Sequence, residues 1–226
     1  MSKNIVITGT SSGIGFELTK FFLKNNHHVL AISRNNSELR KLNLKGVYAV
    51  DFDITDFENY NLLNKYLDNF KNIDVLINNA GLLINKPFED TSLEDFQNVY
   101  ATNVFSVAML TKFLINKMNG RSNVVNISSV GGVEGTLKFP GLAAYSSSKG
   151  ALNILTEMLA EEYKKDGIHF NSLALGSVQT KMLKKAFPGF QASTSAKDMA
   201  DYIYNFAMEG HKLINGKVIS ISSSTP

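Results

Sequence analysis

Short apolar runs alternate along the chain with longer segments in which apolar residues recur at helical spacing. Runs of strand length that are rich in valine and isoleucine predict buried strands. The predicted strands cover residues 5–7, 29–32, 46–50, 73–77, 124–127, 169–174 and 218–221. Strands that alternate with helices favour a parallel sheet with helices on both faces. The pattern therefore predicts an α/β fold.

The segments of helical spacing connect these strands. They cover residues 16–23, 55 to about 70, 91 toward 118, 145 to about 165, and 196–208. Thr55 and Glu58 have the spacing of a capping box at a helix start, and Thr91 and Glu94 open the next helix. The serine-rich tail Ser222–Pro226 is expected to fray.

The composition limits the classes of function. The 226 residues suit one domain with one sizeable core. The net charge is only +3, the lysines are scattered and tryptophan is absent, so nucleic-acid binding has little support. No apolar run reaches the length of a membrane span, and the first residues lack the pattern of a signal peptide. The chain has no cysteine, which excludes a thiol nucleophile and fits cytoplasmic residence. No metal site is predicted, because no metal-ligand grouping joins the histidines, His27, His28, His169 and His211.

The first turn has the residues of a phosphate-binding loop. Thr8–Gly15 reads TGTSSGIG and lies between the first strand and the first helix. Glycines let the backbone turn sharply and approach a ligand, and a helix N-terminus offers free N–H groups to a pyrophosphate. An ordinary glycine- and serine-rich turn is the alternative. The candidate cofactor-binding residues here are Gly9, Ser11, Ser12, Gly13, Ile14 and Gly15.

A tyrosine and a lysine stand four residues apart at the start of the helix that begins near residue 145. On a helix, this spacing places Tyr145 and Lys149 on one face. A free tyrosine has a pKa of about 10, and a nearby ammonium group favours the phenolate. The pair is therefore predicted to be a proton donor with its own tuning group. A surface tyrosine followed by an exposed lysine is the alternative.

Three motifs together resemble the classical short-chain dehydrogenases/reductases. They are Thr8–Gly15, Asn78–Gly81 and Tyr145–Lys149, which occur in the family's order, and the resemblance covers nearly the whole chain. It implies one domain over residues 1–226, with a Rossmann-type doubly wound parallel sheet of about seven strands and a dinucleotide across the strands' C-terminal ends. It also implies a short substrate lid around residues 181–197.

The resemblance further implies the contacts of the cofactor. Asn79, Ala80 and Gly81 match a segment along its adenosine side, and Asp53, which precedes Ile54, matches an acid that binds the adenine amino group. Without the resemblance, Asp53 is equally a common loop residue. The segment that faces the nicotinamide contains Gly176, Val178 and Thr180, with Leu175 in place of the family's proline.

Four residues match the family's catalytic positions: Asn103, Ser129, Tyr145 and Lys149. The resemblance implies that Tyr145 donates a proton, Ser129 orients the carbonyl oxygen, and Lys149 lowers the tyrosine pKa and binds the nicotinamide ribose. Asn103 is implied to kink its helix and to hold a water that leads to the lysine. The alternative for Asn103 is a buried amide bonded to backbone. Ser129 is preferred to Ser128 because an apolar residue and a glycine-rich turn follow it.

The end of the second strand indicates the choice of cofactor. An acid at this place binds the ribose 2′-hydroxyl of NAD, whereas the chain has Ser33 followed by Arg34. The arginine's donors suit a 2′-phosphate, so NADP(H) is predicted to be preferred, with NAD(H) possible. The alternative is an Arg34 that points into solvent and selects nothing.

The predicted function is therefore the transfer of a hydride between NADP(H) and a carbonyl or alcohol substrate. A 3-oxoacyl-thioester reductase is the alternative within the same class of function. Alternatives from other classes are a non-catalytic dinucleotide sensor on the same fold and a nucleotide-sugar epimerase or dehydratase. Lys181, Lys184 and Lys185 would suit an anionic substrate, or they form a solvated helix face. By analogy, the Asn103 and Tyr145 helices are expected to pair in a homodimer or homotetramer. Ser222–Ser224 stand where the family has a glycine pair.

Overall fold

The structure is a computed structural model, and it describes residues 1–222. Within this part, seven strands form one parallel sheet, as the sequence predicted. Their order is β3-β2-β1-β4-β5-β6-β9, and β7 pairs with β8 in a separate two-stranded sheet. Apart from Ser222, the tail that was expected to fray lies outside the described residues. The strands are β1 (Asn4–Thr8), β2 (His28–Ser33), β3 (Val47–Asp51), β4 (Val75–Asn78), β5 (Asn123–Ser129), β6 (His169–Leu175), β7 (Val178–Gln179), β8 (Thr194–Ser195) and β9 (Lys217–Ile221).

Helices cover both faces of the sheet, and two separate apolar cores hold them there. The helices are α1 (Gly13–Lys24), α2 (Ser37–Lys41), α3 (Asn64–Leu67), α4 (Leu93–Tyr100), α5 (Ser106–Leu114), α6 (Ala143–Glu162), α7 (Lys181–Ala186) and α8 (Ala196–Glu209). Ile5 and Ile7 of β1 pack in the core under α1 and α8, whereas Val6 packs in the core that includes α5 and α6. Successive strand residues face opposite sides. Both faces are buried, which is why the strands read as continuous apolar runs.

The predicted capping box at Thr55 and Glu58 is wrong. One carboxylate oxygen of Asp53 accepts hydrogen bonds from the backbone N–H and the hydroxyl of Thr55, at 2.9 and 2.7 Å. This turn uses the threonine hydroxyl before a helix can begin. A 3-10 helix then covers Phe57–Leu63, and α3 ends at Leu67, before the expected end near residue 70.

The next helix begins one residue later than predicted. Ser92 is its N-cap, and the Ser92 hydroxyl accepts a hydrogen bond from the Asp95 N–H at 3.1 Å while the Asp95 carboxylate accepts one from the Ser92 N–H at 2.9 Å. The serine and aspartate thus form the reciprocal capping box that Thr91 and Glu94 cannot form at the same time.

The long helix predicted from residue 91 toward 118 is interrupted. A single π-helical turn, Ala101–Phe105, joins α4 to α5, and the helix ends at Leu114 before a short 3-10 turn. Asn103 lies inside the π turn, where the resemblance implied a kink. Single π turns inside helices often mark functional positions. The Tyr145 helix also ends earlier than predicted, at Glu162.

Candidate active site

A cleft of about 1140 Å³ lies along the C-terminal ends of the central strands. This edge is where doubly wound sheets bind their ligands. Of the predicted site residues, Gly15 and Asn103 do not line it. Those that do are Gly9, Ser11, Ser12, Gly13, Ile14, Ser33, Arg34, Asp53, Ile54, Asn79, Ala80, Gly81, Ser129, Tyr145, Lys149, Gly176, Val178 and Thr180.

The glycine turn after β1 is packed too closely for side chains. Gly9 has a φ of +75°, and a Cβ atom there would lie 2.8 Å from the Cα atom of Ala80. A Cβ atom on Gly15 would overlap the carbonyl oxygen of Gly9. Gly15 therefore allows the close packing within the turn but does not line the cleft, whereas Gly9 does.

The N-terminus of α1 faces the cleft without a side-chain cap. Ser12 is the N-cap and has extended backbone geometry, but its hydroxyl makes no capping hydrogen bond. No acidic residue lies in the first turn. The first N–H groups of α1 and the positive end of its dipole are thus available to an anion. The glycine turn and the N-terminus of α1 together fit the pyrophosphate of a dinucleotide.

Asn79 holds the glycine turn in place. Its side-chain amide donates to the carbonyl oxygens of Thr8 at 2.9 Å and Gly9 at 3.2 Å. The backbone N–H groups of Asn79 and Ala80 donate to the Thr8 hydroxyl at 3.1 and 3.0 Å. The amide that the resemblance assigned to the cofactor's adenosine side therefore has a positioning role in this structure.

The loop after β2 depends on a buried residue that the sequence analysis did not select. Asn36 is fully buried and accepts a hydrogen bond from the Thr10 hydroxyl at 2.7 Å. Its amide donates to the carbonyl oxygens of Ala31 and Val50 at 3.2 and 2.7 Å. Asn36 thereby joins the glycine turn to β2 and β3. The sequence offered no clear signal for it, because Asn36 lies three residues after the end of β2 among other polar residues.

Arg34 and Asp53 lie at the same end of the cleft. Arg34 is exposed, and no hydrogen bond or ion pair of its side chain occurs within residues 1–222. Asp53 lines the cleft, although one of its oxygens serves the turn at Thr55. The neighbouring Ile54 is fixed because its carbonyl oxygen accepts a hydrogen bond from the buried Tyr60 hydroxyl at 2.6 Å.

Ser129 and Tyr145 face each other in the cleft, at the end of β5 and in the first turn of α6. Burial raises the pKa of the Tyr145 phenol, and a hydrogen bond with Ser129 partly offsets the rise. The Ser129 oxygen also accepts a hydrogen bond from the Gly131 N–H at 3.2 Å. This contact leaves the serine's own proton free to be donated into the cleft.

Lys149 is 4% exposed, and burial lowers its pKa to about 8. Its ammonium nitrogen donates to the carbonyl oxygen of Ile127 at 2.8 Å and lies 5.8 Å from the centre of the Tyr145 ring. The phenol's pKa is raised by burial, and the offsetting contact comes from Ser129. A lowering of this pKa by Lys149 stays a prediction. Lys149 lines the cleft next to the Tyr145 ring.

Asn103 is fully buried, and both the oxygen and the nitrogen of its side-chain amide make hydrogen bonds. Its oxygen accepts a hydrogen bond from the Leu82 N–H at 2.8 Å, and its nitrogen donates to the Leu82 carbonyl and the Ser148 hydroxyl, both at 2.9 Å. Ser148 in turn donates to the Tyr145 carbonyl at 2.6 Å. The side chain thus follows the alternative of a buried amide and positions the first turn of α6. A role in holding water stays a prediction.

A second buried chain of polar groups fixes α6 against the sheet further along the helix, at Thr156. The Asn78 amide donates to the Asn126 oxygen at 2.8 Å, and the Asn126 amide donates to the Thr156 hydroxyl at 2.9 Å. These bonds join β4, β5 and α6 inside the low-dielectric interior, where satisfied polar networks fix one arrangement. Sequence reasoning selected Asn78 only as part of a motif and missed the other two.

The nicotinamide-side segment is also well packed. The N–H of Gly176 donates to the Ile221 carbonyl at 2.9 Å, and a Cβ atom on Gly176 would lie 2.8 Å from that of Ser222. Ser222 therefore occupies space next to the cleft where the family has its glycine pair. Thr180 caps α7 by accepting a hydrogen bond from the Leu183 N–H at 3.2 Å.

Two classes of site have no counterpart in residues 1–222. No group of three or more histidine, aspartate or glutamate side chains is placed to hold a metal ion. No helix there combines the length and apolar character needed to cross a membrane.

Comparison with known proteins gives one consistent family. Residues 3–190 match the family model described as short chain dehydrogenase. The chain is 32% identical over 179 residues to carbonyl reductase (NADPH) 2 of Sus scrofa, covering 78% of this chain and 72% of that protein. It is 32% identical over 193 residues to gluconate 5-dehydrogenase of Gluconobacter oxydans (strain 621H), covering 80% and 73%.

Solved structures agree with this result. The structure of ElxO with NADP bound has a TM-score of 0.85 and 33% identity, and the match covers 98% of this chain and 97% of that chain. The structure of 4-hydroxyisoleucine dehydrogenase complexed with NADH has a TM-score of 0.82 and 30% identity, covering 97% and 96%. The similar proteins thus include both an NADP complex and an NADH complex.

Proposed function

The chain belongs to the short chain dehydrogenase family, and we propose that it is an NADP(H)-dependent ketone reductase or secondary alcohol dehydrogenase. Members of this family are oxidoreductases that act on alcohol or carbonyl substrates with a nicotinamide cofactor. The observation that carries the proposal is the pairing of Ser129 and Tyr145 in a cleft whose other half fits a dinucleotide. The proposal keeps residues 1–226 as one domain with a lid around 181–197, in which α7 lies. Cytoplasmic residence stays a prediction, which cell fractionation would check.

The side chains support a proton-coupled reduction of a carbonyl group. When bound, the reduced nicotinamide supplies the hydride that the carbonyl carbon accepts. Ser129 donates a hydrogen bond to the carbonyl oxygen, and Tyr145 gives that oxygen its proton as negative charge develops. Lys149, whose pKa of about 8 leaves it mostly charged at pH 7, can return a proton to the phenolate. Asn103 keeps the first turn of α6 in position.

NADP(H) preference is the finer part of the proposal. The side chain of Arg34 is exposed at the cleft, and the neighbouring Ser33 carries no charge that would repel a 2′-phosphate. Asp51 pairs with Ser33 across β2 and β3, but Arg40 binds both oxygens of its carboxylate, at 2.9 and 2.7 Å. Arg40 therefore balances the negative charge of Asp51, the acid that pairs with Ser33 in the sheet. A hydrogen bond between arginine and phosphate would favour NADP(H) by roughly 10–150-fold.

Association into a homodimer or homotetramer is also proposed. The outer faces of the π turn, α5 and α6 carry exposed apolar side chains, namely Phe105, Met109, Ile154 and Met158, which are 40–61% exposed. Apolar groups concentrated on neighbouring helices suit a self-complementary two-fold interface. Their exposure supports the pairing that was expected from the family resemblance.

A 3-oxoacyl-thioester reductase is the second candidate. Lys184 and Lys185 of α7 are exposed at the lid, and neither forms an ion pair in the described chain. Such lysines would suit the phosphates of a carrier group outside the cleft. The likeness to a 3-ketoacyl-(acyl-carrier-protein) reductase from Brucella melitensis, at 25% identity and TM-score 0.87, adds support.

A turnover assay separates these candidates. The purified protein would be given NADPH with simple ketones and with acetoacetyl thioesters, and loss of NADPH absorbance would be followed. Reduction of ketones at the higher kcat/KM supports the proposal, whereas a strong preference for thioesters supports the second candidate. Tight NADPH binding without turnover of any carbonyl compound would contradict both and favour a dinucleotide sensor.

A further inference from the structure

The half of the cleft beside Tyr145 is a chamber bounded by three segments of the chain. Its walls are the loop after β4, the loop before α6 and the segment that contains α7. The Asn85 amide donates to the carbonyl oxygen of Ala186 at 2.8 Å, so the first wall is fastened to the third. The rings of Phe139 and Phe187 meet edge to face with centroids 6.4 Å apart, which fastens the second wall to the third. The segment that contains α7 is thus fastened to both other walls.

The surface of this chamber is apolar. Two aromatic rings form the contact between the lid and the loop before α6, and aliphatic and aromatic side chains from all three walls line the cleft beside them. Those side chains are Leu83, Ile84, Val130, Leu142, Leu183 and Phe190. The polar atoms needed for reaction come from Ser129 and Tyr145 at one end. A ligand here would lose water from its surface and gain apolar contacts over most of it.

Few charged side chains line the cleft. In the part of the chain that the structure describes, they are Arg34, Asp53, Lys149 and Lys181. Arg34 and Asp53 follow β2 and β3 at the adenosine end. Lys149 donates to a backbone carbonyl. Lys181 is exposed and also borders a small depression with Gly13, next to the N-terminus of α1. The apolar side chains of the walls themselves therefore offer no charge to an ionic group.

From the fastened walls, their apolar lining and the lack of charge among those lining side chains, we infer that the substrate is an uncharged ketone or secondary alcohol with a bulky aryl or alkyl group. Its single essential polar group is the carbonyl or hydroxyl oxygen held by Ser129 and Tyr145, and its apolar part packs against Phe187, Leu183 and Leu142. A carboxylate or a polyol would lose hydration without gaining partners. This inference rests on the proposed carbonyl reductase function and names its substrate class.

A matched series of aryl ketones tests the inference. With NADPH, kcat/KM should rise about fourfold for each methylene group from acetophenone to butyrophenone, which is the value of one buried methylene. The neutral 4-methylacetophenone should exceed 4-acetylbenzoate, which has a carboxylate at the place of the methyl group, by about 100-fold or more. Equal values for these two, or a preference for the acid, would overturn the inference and would place Lys181 or another cation in the chamber.

Variants test whether the lid causes the rise of kcat/KM along the ketone series. Phe187→Ala should flatten the rise along the series, and Phe187→Leu should restore most of it because apolar volume is kept. Phe88→Ala is the matched control, since Phe88 is 69% exposed and does not line the cleft. An unchanged series in Phe187→Ala, with the control also unchanged, would mean that the substrate does not pack against the lid.

A binding measurement keeps the inference testable when no ketone is reduced. The NADPH-bound protein would be titrated with N,N-dimethyl-4-methylbenzamide and with its 4-carboxylate counterpart, which cannot be reduced. At least tenfold tighter binding of the neutral amide supports the apolar chamber, and equal or weaker binding contradicts it. Absence of turnover together with selective binding would contradict the proposed function alone, and turnover of charged and neutral ketones alike would contradict the substrate class alone.

Discussion

Replacing Lys149 by methionine should make the protein more stable near pH 7 while it removes activity. Lys149 is 4% exposed, and burial lowers its pKa from 10.5 to about 8. At pH 7 the folded protein therefore keeps a charged group in an unfavourable place, at a cost of about 3 kcal/mol. Methionine removes that cost but leaves the Ile127 carbonyl without its 2.8 Å bond, which costs about 1–3 kcal/mol. A net gain of about 1 kcal/mol is expected.

The pH dependence of the free energy of unfolding is a clearer test than the net gain at pH 7. Between pH 8 and 10.5 the unfolded chain still binds the Lys149 proton, while the folded chain has released it. Since the unfolded state binds more protons, the stability of the wild type rises with pH in this window. Relative to Lys149→Met, the wild type should gain about 2–3 kcal/mol between pH 7 and pH 10.

Urea unfolding at several pH values, followed by circular dichroism, measures this difference. Lys24→Met, at an exposed position near the end of α1, is the control and should show no such trend. A difference between wild type and Lys149→Met that stays constant from pH 7 to pH 10 would refute the reasoning that Lys149 is strained by burial.

Three further predictions concern the cofactor and assembly. Wild-type protein should bind NADP(H) at least about tenfold more tightly than NAD(H) at low salt, and Ser33→Asp with Arg34→Ala should reverse the order; an unchanged ratio in titrations would contradict the assignment. Gly9→Ala should weaken binding of both cofactors and lower thermal stability, because its φ is +75° and its Cβ would lie 2.8 Å from Ala80; calorimetric titration showing wild-type affinity would count against it. Met158→Glu should shift the assembly toward monomer, since this side chain is 60% exposed on α6; light scattering would contradict the proposal if the wild type were already monomeric.

The sheet could be predicted from the sequence because its central strands are buried on both faces. Ile5–Ile7 is a run of fully buried residues, and the glycines that follow it mark the turn without ambiguity. Periodicity and turn residues are local signals, so they survive without knowledge of the tertiary structure. Helix starts were harder. Ser92 and Asp95 compete with Thr91 and Glu94 one residue away, and only the folded chain chooses between two equally spaced pairs.

The site residues were predicted through motifs, but their contacts were not. Asn79 was assigned to the cofactor, yet its amide bonds the glycine turn. Asn36 and Asn85 were not selected, because their partners lie far away in sequence: Asn36 bonds to Thr10, and Asn85 bonds to Ala186, 101 residues on. Burial of Lys149 also depends on packing from several elements, so the direction of its pKa shift could not be read from its spacing to Tyr145.

The central claim is that Tyr145 gives a proton to a carbonyl oxygen held by Ser129. Single-turnover reduction of a neutral aryl ketone by NADPH, measured in Tyr145→Phe by stopped flow, tests it most directly. The variant should keep its circular dichroism spectrum and its NADPH affinity, while the rate of NADPH oxidation falls by about 10²–10⁴-fold. Oxidation of NADPH near the wild-type rate in this variant would contradict the account.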